Sequence, residues 1–302
     1  MHASAALLAI ALTLTLSAPM AIHAQQPQEP AATFRASVDV VTIAAVVRDK
    51  HGRVVPSLTK DDFTVLDGGK AQPIVEFQPD SNGPLSIALL IDGSGSMRQS
   101  SSQSRRAAET LLALLNKHSD DVALMSFDTR LITLRDFTSD FHTLRSGLDE
   151  VETWGATSIY DAIAGAAGIV DAHTRKRRAV LVVTDGSDNW SSYSPAEAAW
   201  IASTIDVPVY VLAVTARAAD TDNAQPTGGE LAEVARATGG EYFAADTETR
   251  QAMALGRLIE DLRHQYLIAI EPTRSGGLRA LDVKTRKPSL KVRARQWYAA
   301  DE

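Results

Sequence analysis

The 302-residue sequence contains no cysteine. That absence excludes disulfides, thiol catalysis, zinc held by thiolates and the acylated cysteine of a lipoprotein. Basic side chains are also in the minority, since 30 Lys and Arg against 37 Asp and Glu leave a formal net charge of −7. Such a balance argues against a general nucleic-acid binder. Past residue 24 no run is long and apolar enough to span a bilayer. Around the glycine-bearing stretch 93–97 there is no Gly-x-Ser-x-Gly nucleophile elbow, no Gly-x-Gly-x-x-Gly dinucleotide turn and no Gly-Lys-Ser/Thr of a P-loop.

An apolar fraction of 45% over this length supplies a core for one large domain, or for one medium and one small. Residues 3–21 are apolar or small and uncharged, and Ala21-Ile22-His23-Ala24 followed by Gln25-Gln26-Pro27 has the pattern of an export signal cleaved after Ala24. The expected protein is therefore exported: periplasmic, secreted or held at the cell envelope. Ahead of the apolar run stand His2 and the terminal amine but no Lys or Arg, so retention as an uncleaved anchor is the alternative.

Beyond a Pro-, Gln- and Ala-rich leader at 25–33, β-branched alternation marks strands at 38–49, 62–66 and 74–77, separated by Gly and Asp turns. Residues 266–270, 278–283 and 290–295 are strand-like again. Neither set makes a stable sheet alone. The expected organisation is thus a signal at 1–24, a leader at 25–33, N-terminal β-strands at 34–80, a central domain at 84–264 and C-terminal strands at 265–298 that complete one β-module with the N-terminal set.

Within 84–264 the period alternates between strand and helix. Strands are expected at 86–92, 122–127, 131–135, 179–184, 207–214 and 242–243, and helices at 104–117, 141–151, 159–173, 195–204, 229–238 and 248–264. This alternation predicts an α/β fold with a doubly wound, mainly parallel sheet, whose ligands sit outside the carboxyl ends of strands where their order reverses.

Three loops carry the chemistry. In Ile91-Asp92-Gly93-Ser94-Gly95-Ser96-Met97, side chains two apart point the same way along an extended loop, so Asp92, Ser94 and Ser96 converge on one small hard cation. The second loop is Trp154-Gly155-Ala156-Thr157-Ser158, and the third is Val182-Val183-Thr184-Asp185-Gly186. Together and in this order they resemble the metal-ion-dependent adhesion site of von Willebrand factor A (VWA) domains. The resemblance implies that Thr157 and Asp185 join Asp92, Ser94 and Ser96 as metal ligands. It also implies a protein-binding module whose cation accepts an Asp or Glu carboxylate from a partner. The segments 58–65, 67–74 and 292–298 look like those of a bacterial family of exported VWA-related proteins described from Acidobacteria, which implies architecture more than activity.

All-oxygen ligation by two carboxylates and three hydroxyls suits Mg2+, with Mn2+ next, because a dedicated calcium site holds more carboxylates. Two further readings stand beside the adhesive one: an envelope assembly component with a vestigial metal site, and a metal-dependent hydrolase. His51, His118, His142, His173 and His264 lie in turns or on helices away from these loops, which argues against a catalytic base. Asp185-Gly186-Ser187-Asp188-Asn189-Trp190 fails as a calcium loop because Trp190 stands where the turn glycine belongs.

Three surface features complete the expectations. The run 175–178 reads as a solvated helix C-terminus. Lys291, Arg293 and Arg295 read as guards of an exposed strand edge, although the eight Lys and Arg of 274–298 against Asp282 alone also suit docking on an anionic surface or on the acidic remainder. Trp154, Trp190 and Tyr193 near the loops fit either packing or an aromatic rim that shapes partner choice.

Overall fold

A computed structural model describes residues 40–81, 83–173, 177–215, 229–273 and 276–300. The signal and the leader lie outside the described residues. From residue 40 onward the described chain belongs to one compact unit.

The N-terminal strands β1 (Val41–Arg48), β2 (Phe63–Asp67), β3 (Lys70–Gln72) and β4 (Ile74–Ser81) precede the central domain. It begins with β5 (Leu85–Asp92), α1 (Ser101–Leu114), β6 (Asp121–Phe127), β7 (Leu131–Thr138), α2 (Phe141–Leu148) and α3 (Ile159–Ala172). It continues through β8 (Arg177–Thr184), α4 (Pro195–Thr204), β9 (Val209–Ala213), α5 (Gly229–Ala237), β10 (Tyr242–Ala244) and α6 (Glu248–Arg263). Four strands close the chain: β11 (His264–Ile270), β12 (Gly277–Thr285), β13 (Lys291–Arg293) and β14 (Trp297–Ala300).

The central sheet has the order β10-β9-β8-β5-β6-β7, parallel except for β7. Its middle strand, β5, is buried at all eight positions, which is why it is written as a continuous apolar run. Leu85, Ile87, Leu89 and Ile91 pack in one core layer with α1, α2 and α6, while Ala88 and Leu90 pack in the other with α3, α4 and α5. Two-residue alternation along a strand thus feeds two helical layers. From β5 the chain steps to β6 on one side and later to β8 on the other, so the order reverses at β5. A crevice opens there, beyond Asp92.

The terminal strands form two further sheets, β13-β1-β11-β4 and β14-β12-β2-β3, each mixing strands from both ends of the chain. Val41 lies opposite Ile270, and Val65 opposite Val283. Between the sheets lies a separate apolar core, in which Phe63, Phe77 and Tyr266 bring their ring centroids within 5.1–5.6 Å of one another. One aromatic cluster therefore ties β2 to β4 and β11.

Several expectations change at element ends and on the surface. α1 begins three residues early because a 3-10 turn over Gly95–Gln99 feeds into it. Of the run 175–178, Arg175 and Lys176 lie outside the described residues, while Arg177 and Arg178 belong to β8 rather than to a solvated helix end: Arg177 is buried, and Arg178 ion-pairs with Asp171 at 2.8 Å. The edge-guard reading fails for Arg293 and Arg295, because both turn inward. Arg295, 7% exposed, donates to the carbonyls of Thr42 (2.7 Å) and Ser203 (2.9 Å), and Arg293 pairs with Glu241 and Asp261. With Arg279 on Asp67 and Lys287 on Asp62, much of the basic C-terminal segment meets carboxylates of the remaining chain.

Candidate metal-binding face

The three chemical loops emerge at the carboxyl end of the central sheet. Asp92 closes β5 and Thr184 closes β8, and these strands are neighbours, with Ile91 opposite Val183. Gly93 is required here by close approach: a Cβ on it would sit 2.7 Å from the carbonyl oxygen of Glu152. Gly155 takes φ +86°, a left-handed conformation that glycine adopts without strain.

Direct bonds stitch the loops into a closed ring. The Gly95 N–H donates to the Gly155 carbonyl (3.1 Å), and the Trp154 N–H to the Gly93 carbonyl (2.8 Å), joining the first loop to the second. Thr157 N–H donates to Asn189 Oδ1 (2.9 Å), while Asn189 and Trp190 N–H both donate to the Thr157 carbonyl (3.0 Å each), joining the second to the third. Thr184 Oγ1 then donates to Asp92 Oδ2 at 2.6 Å and accepts from Gly186 N–H at 3.0 Å, joining the third to the first.

Asp92 and Ser94 are each 1% exposed, whereas Ser96 is exposed and Asp185 partly so. Ser94 N–H donates to Asp92 Oδ1 (2.9 Å), and the Ser94 and Ser96 hydroxyls lie 2.9 Å apart. Asp185 Oδ1 accepts only a longer bond, from Ser187 N–H at 3.2 Å. Thr157 is 1% exposed. Burial pushes the Asp92 carboxyl up from its ordinary range, the Thr184 and Ser94 hydrogen bonds pull it back, and the neighbouring Asp185 charge adds to the rise.

This donor set fits a hard divalent cation. No Lys or Arg among the described residues pairs with Asp92, so its buried charge and the Asp185 charge beside it lack a cationic side chain. The Ser94 and Ser96 hydroxyls lie 2.9 Å apart and hydrogen-bond one another, close enough for both to turn toward one small cation. Among the described residues no three His, Cys, Asp or Glu side chains gather to hold a metal, so a cation here has to draw on hydroxyls.

Three residues that position the loops had no role in the sequence reading. Thr184 is one. Asp188 and Asn189 are the others, since Asp188 Oδ1 accepts from Ile159 N–H at 2.7 Å and so caps α3. Their signal was an Asp-Asn pair placed to bond a helix N-terminus. Trp154, Trp190 and Tyr193 stand 65%, 63% and 45% exposed, which argues against the packing reading. His173 sits at the opposite end of the sheet, on Asp121 (3.2 Å) and stacked on Phe137.

Residues 87–187 match the family model of the von Willebrand factor type A domain. No curated protein matches the chain. Among solved structures it is similar to BatB from Bacteroides thetaiotaomicron, with 20% identity over 59% of this chain and 98% of that one and a TM-score of 0.48. It is similar also to a von Willebrand factor type A protein from Catenulispora acidiphila, with 14% identity over 76% of this chain and 73% of that one and a TM-score of 0.48. A third similar structure is the PilB minor pilin from Streptococcus sanguinis, with 13% identity over 64% of each chain and a TM-score of 0.44.

Proposed function

With a von Willebrand factor type A domain at residues 87–187 as the premise, we propose that the protein is an exported binding module that captures a partner protein's Asp or Glu carboxylate through Mg2+, or Mn2+, held by Asp92, Ser94, Ser96, Thr157 and Asp185. The observation that carries this reading is the buried Asp92 carboxylate, which faces a second carboxylate and two hydroxyls and has no cationic side chain to offset it. When bound, the cation supplies that charge and an open coordination position.

The chain's own residues do the rest. Thr184 and the Ser94 N–H orient Asp92, the ring of backbone bonds holds the loops in register, and three neutral hydroxyls leave the ion electrophilic enough to accept an outside carboxylate. Trp154 and Trp190, whose N–H groups bond the metal loops directly, offer apolar area for a partner to bury around that contact.

Binding of Mg2+ to the full chain tests the site. A concentration of 100 Kd should stabilise the wild type by about 2.7 kcal/mol, and Asp92→Ala should abolish the effect. Equal Mg2+-dependent shifts in the two proteins would sink the assignment. Partner capture from the native envelope should disappear in EDTA and return with Mg2+ or Mn2+. Capture indifferent to chelation would favour the assembly reading.

A further inference from the structure

At the pole opposite the candidate metal loops, where the parallel strands begin, a cleft of about 730 Å3 opens between the β-module and the central domain. Its walls are the turn after β1, the face of α5, residues 240–242, Arg257 on α6, and β13. The volume lies within the range of small-molecule sites, roughly 300–1,000 Å3. Its lining charge runs against the rest of the chain. Six cationic side chains (Arg48, Lys50, Arg236, Arg257, Lys291 and Arg293) line it with three carboxylates (Asp49, Glu233 and Glu241), and with the paired Arg53, Glu260 and Asp261 counted, seven cations against five carboxylates leave a local excess of two positive charges in a chain of formal net charge −7.

Most of these charges are paired within the fold. Arg48 is held by Asp261 (Nε to Oδ1, 2.8 Å) and Glu260 (2.9 Å), Arg293 by Asp261 and Glu241, and Arg236 by Glu233. Asp49 is engaged by Arg53 and by two backbone N–H groups. What remains is a surplus of donors. Lys50 and Lys291 are exposed at the rim and make no hydrogen bond or ion pair among the described residues. Arg257 reaches Glu241 through one terminal nitrogen (3.0 Å), but its Nε is buried with no acceptor.

Every unsatisfied group here is a donor, and the uncompensated charges are all positive. A water molecule accepts a hydrogen bond but brings no charge. An oxyanion supplies acceptors and charge together, and one with two or more anionic groups can engage Lys50 on the β1 side and Lys291 on β13 at once. We propose that this cleft binds a small molecule bearing two or more oxyanion groups, phosphate or carboxylate. Because its walls come from both the β-module and the central domain, occupancy fastens the two together.

The test uses the full chain in EDTA at fixed ionic strength, so that the metal loops take no part. Sodium pyrophosphate and sodium citrate are titrated separately by calorimetry, against sodium chloride. At least one should bind saturably, pyrophosphate alone marking a phosphorylated ligand and citrate alone a polycarboxylate. The paired substitution Lys50→Ala and Lys291→Ala removes only exposed, unpaired cations, so the fold should survive, and affinity should drop at least tenfold. Lys117→Ala, an exposed lysine outside the cleft, should leave affinity unchanged. Absence of saturable binding by both probes overturns the proposal. So does affinity that is undiminished in the paired variant, or equally diminished by Lys117→Ala.

Discussion

At the scale of single residues, the candidate metal face depends on side chains that never reach the surface. Thr184 Oγ1 bridges two loops by donating to Asp92 and accepting from the Gly186 N–H. Valine has the same shape without the hydroxyl, so Thr184→Val leaves a buried carboxylate oxygen short of a donor, at a cost of about 1–3 kcal/mol. Because such supporting bonds orient the ligands themselves, Mg2+ affinity should fall about 10–100-fold. Calorimetry beside a urea titration checks both numbers, and unaltered affinity would detach Thr184 from the site. This residue stood in the sequence as part of Thr-Asp-Gly, but only the pairing of β5 with β8 brings its hydroxyl onto Asp92.

At the scale of elements, one buried carboxylate fastens three of them. Asp261 on α6, wholly buried, accepts from Arg48 at the end of β1 and from Arg293 on β13. Asp261→Ala leaves two largely buried guanidinium groups without their shared partner, so stability should drop by about 3–5 kcal/mol in urea unfolding. A further change of Arg48 and Arg293 to Met should recover much of the loss if the penalty is unpaired charge rather than lost shape. Failure to recover would point to packing instead. The basic alternation of 291–295 was legible as a strand with charges on one face. Which way that face turned was not, because an edge strand and a docked strand share the same two-residue period.

For the whole molecule, acid should weaken the β-module. Burial pushes the Asp67 carboxyl up, but Arg279 (2.6 Å) and the Thr273 N–H (3.2 Å) outweigh it and leave the group below its ordinary range. Hydrogen bonding from Thr59, with help from Lys287, holds Asp62 down at about 2. A depressed carboxylate adds stability above its unfolded value, about 3.9, and that contribution is lost as pH falls through the folded value. The contribution of Asp62 and Asp67 should therefore be complete above about pH 5 and be lost between about pH 4 and pH 2. Asp67→Asn should flatten that decline, as followed by circular dichroism in urea at each pH. A slope unchanged by the substitution would place the acid sensitivity elsewhere.

Local sequence was sufficient for whatever depends on neighbours along the chain. The period of β5 and β8 and the Pro-initiated start of α4 follow from residue spacing, because strand and helix repeats are set within a few residues. The tertiary structure decided what joins distant segments. Arg48 meets Asp261 across 213 positions, and each flanking sheet draws strands from both ends of the chain. Pairings at that separation are selected by which apolar faces can be buried together after the intervening domain has brought the ends close, and no local pattern records that choice. The two poles of the molecule divide along the same line: the candidate metal loops are written as motifs, whereas the basic cleft exists only because β13 and the turn after β1 come to lie against α5 and α6.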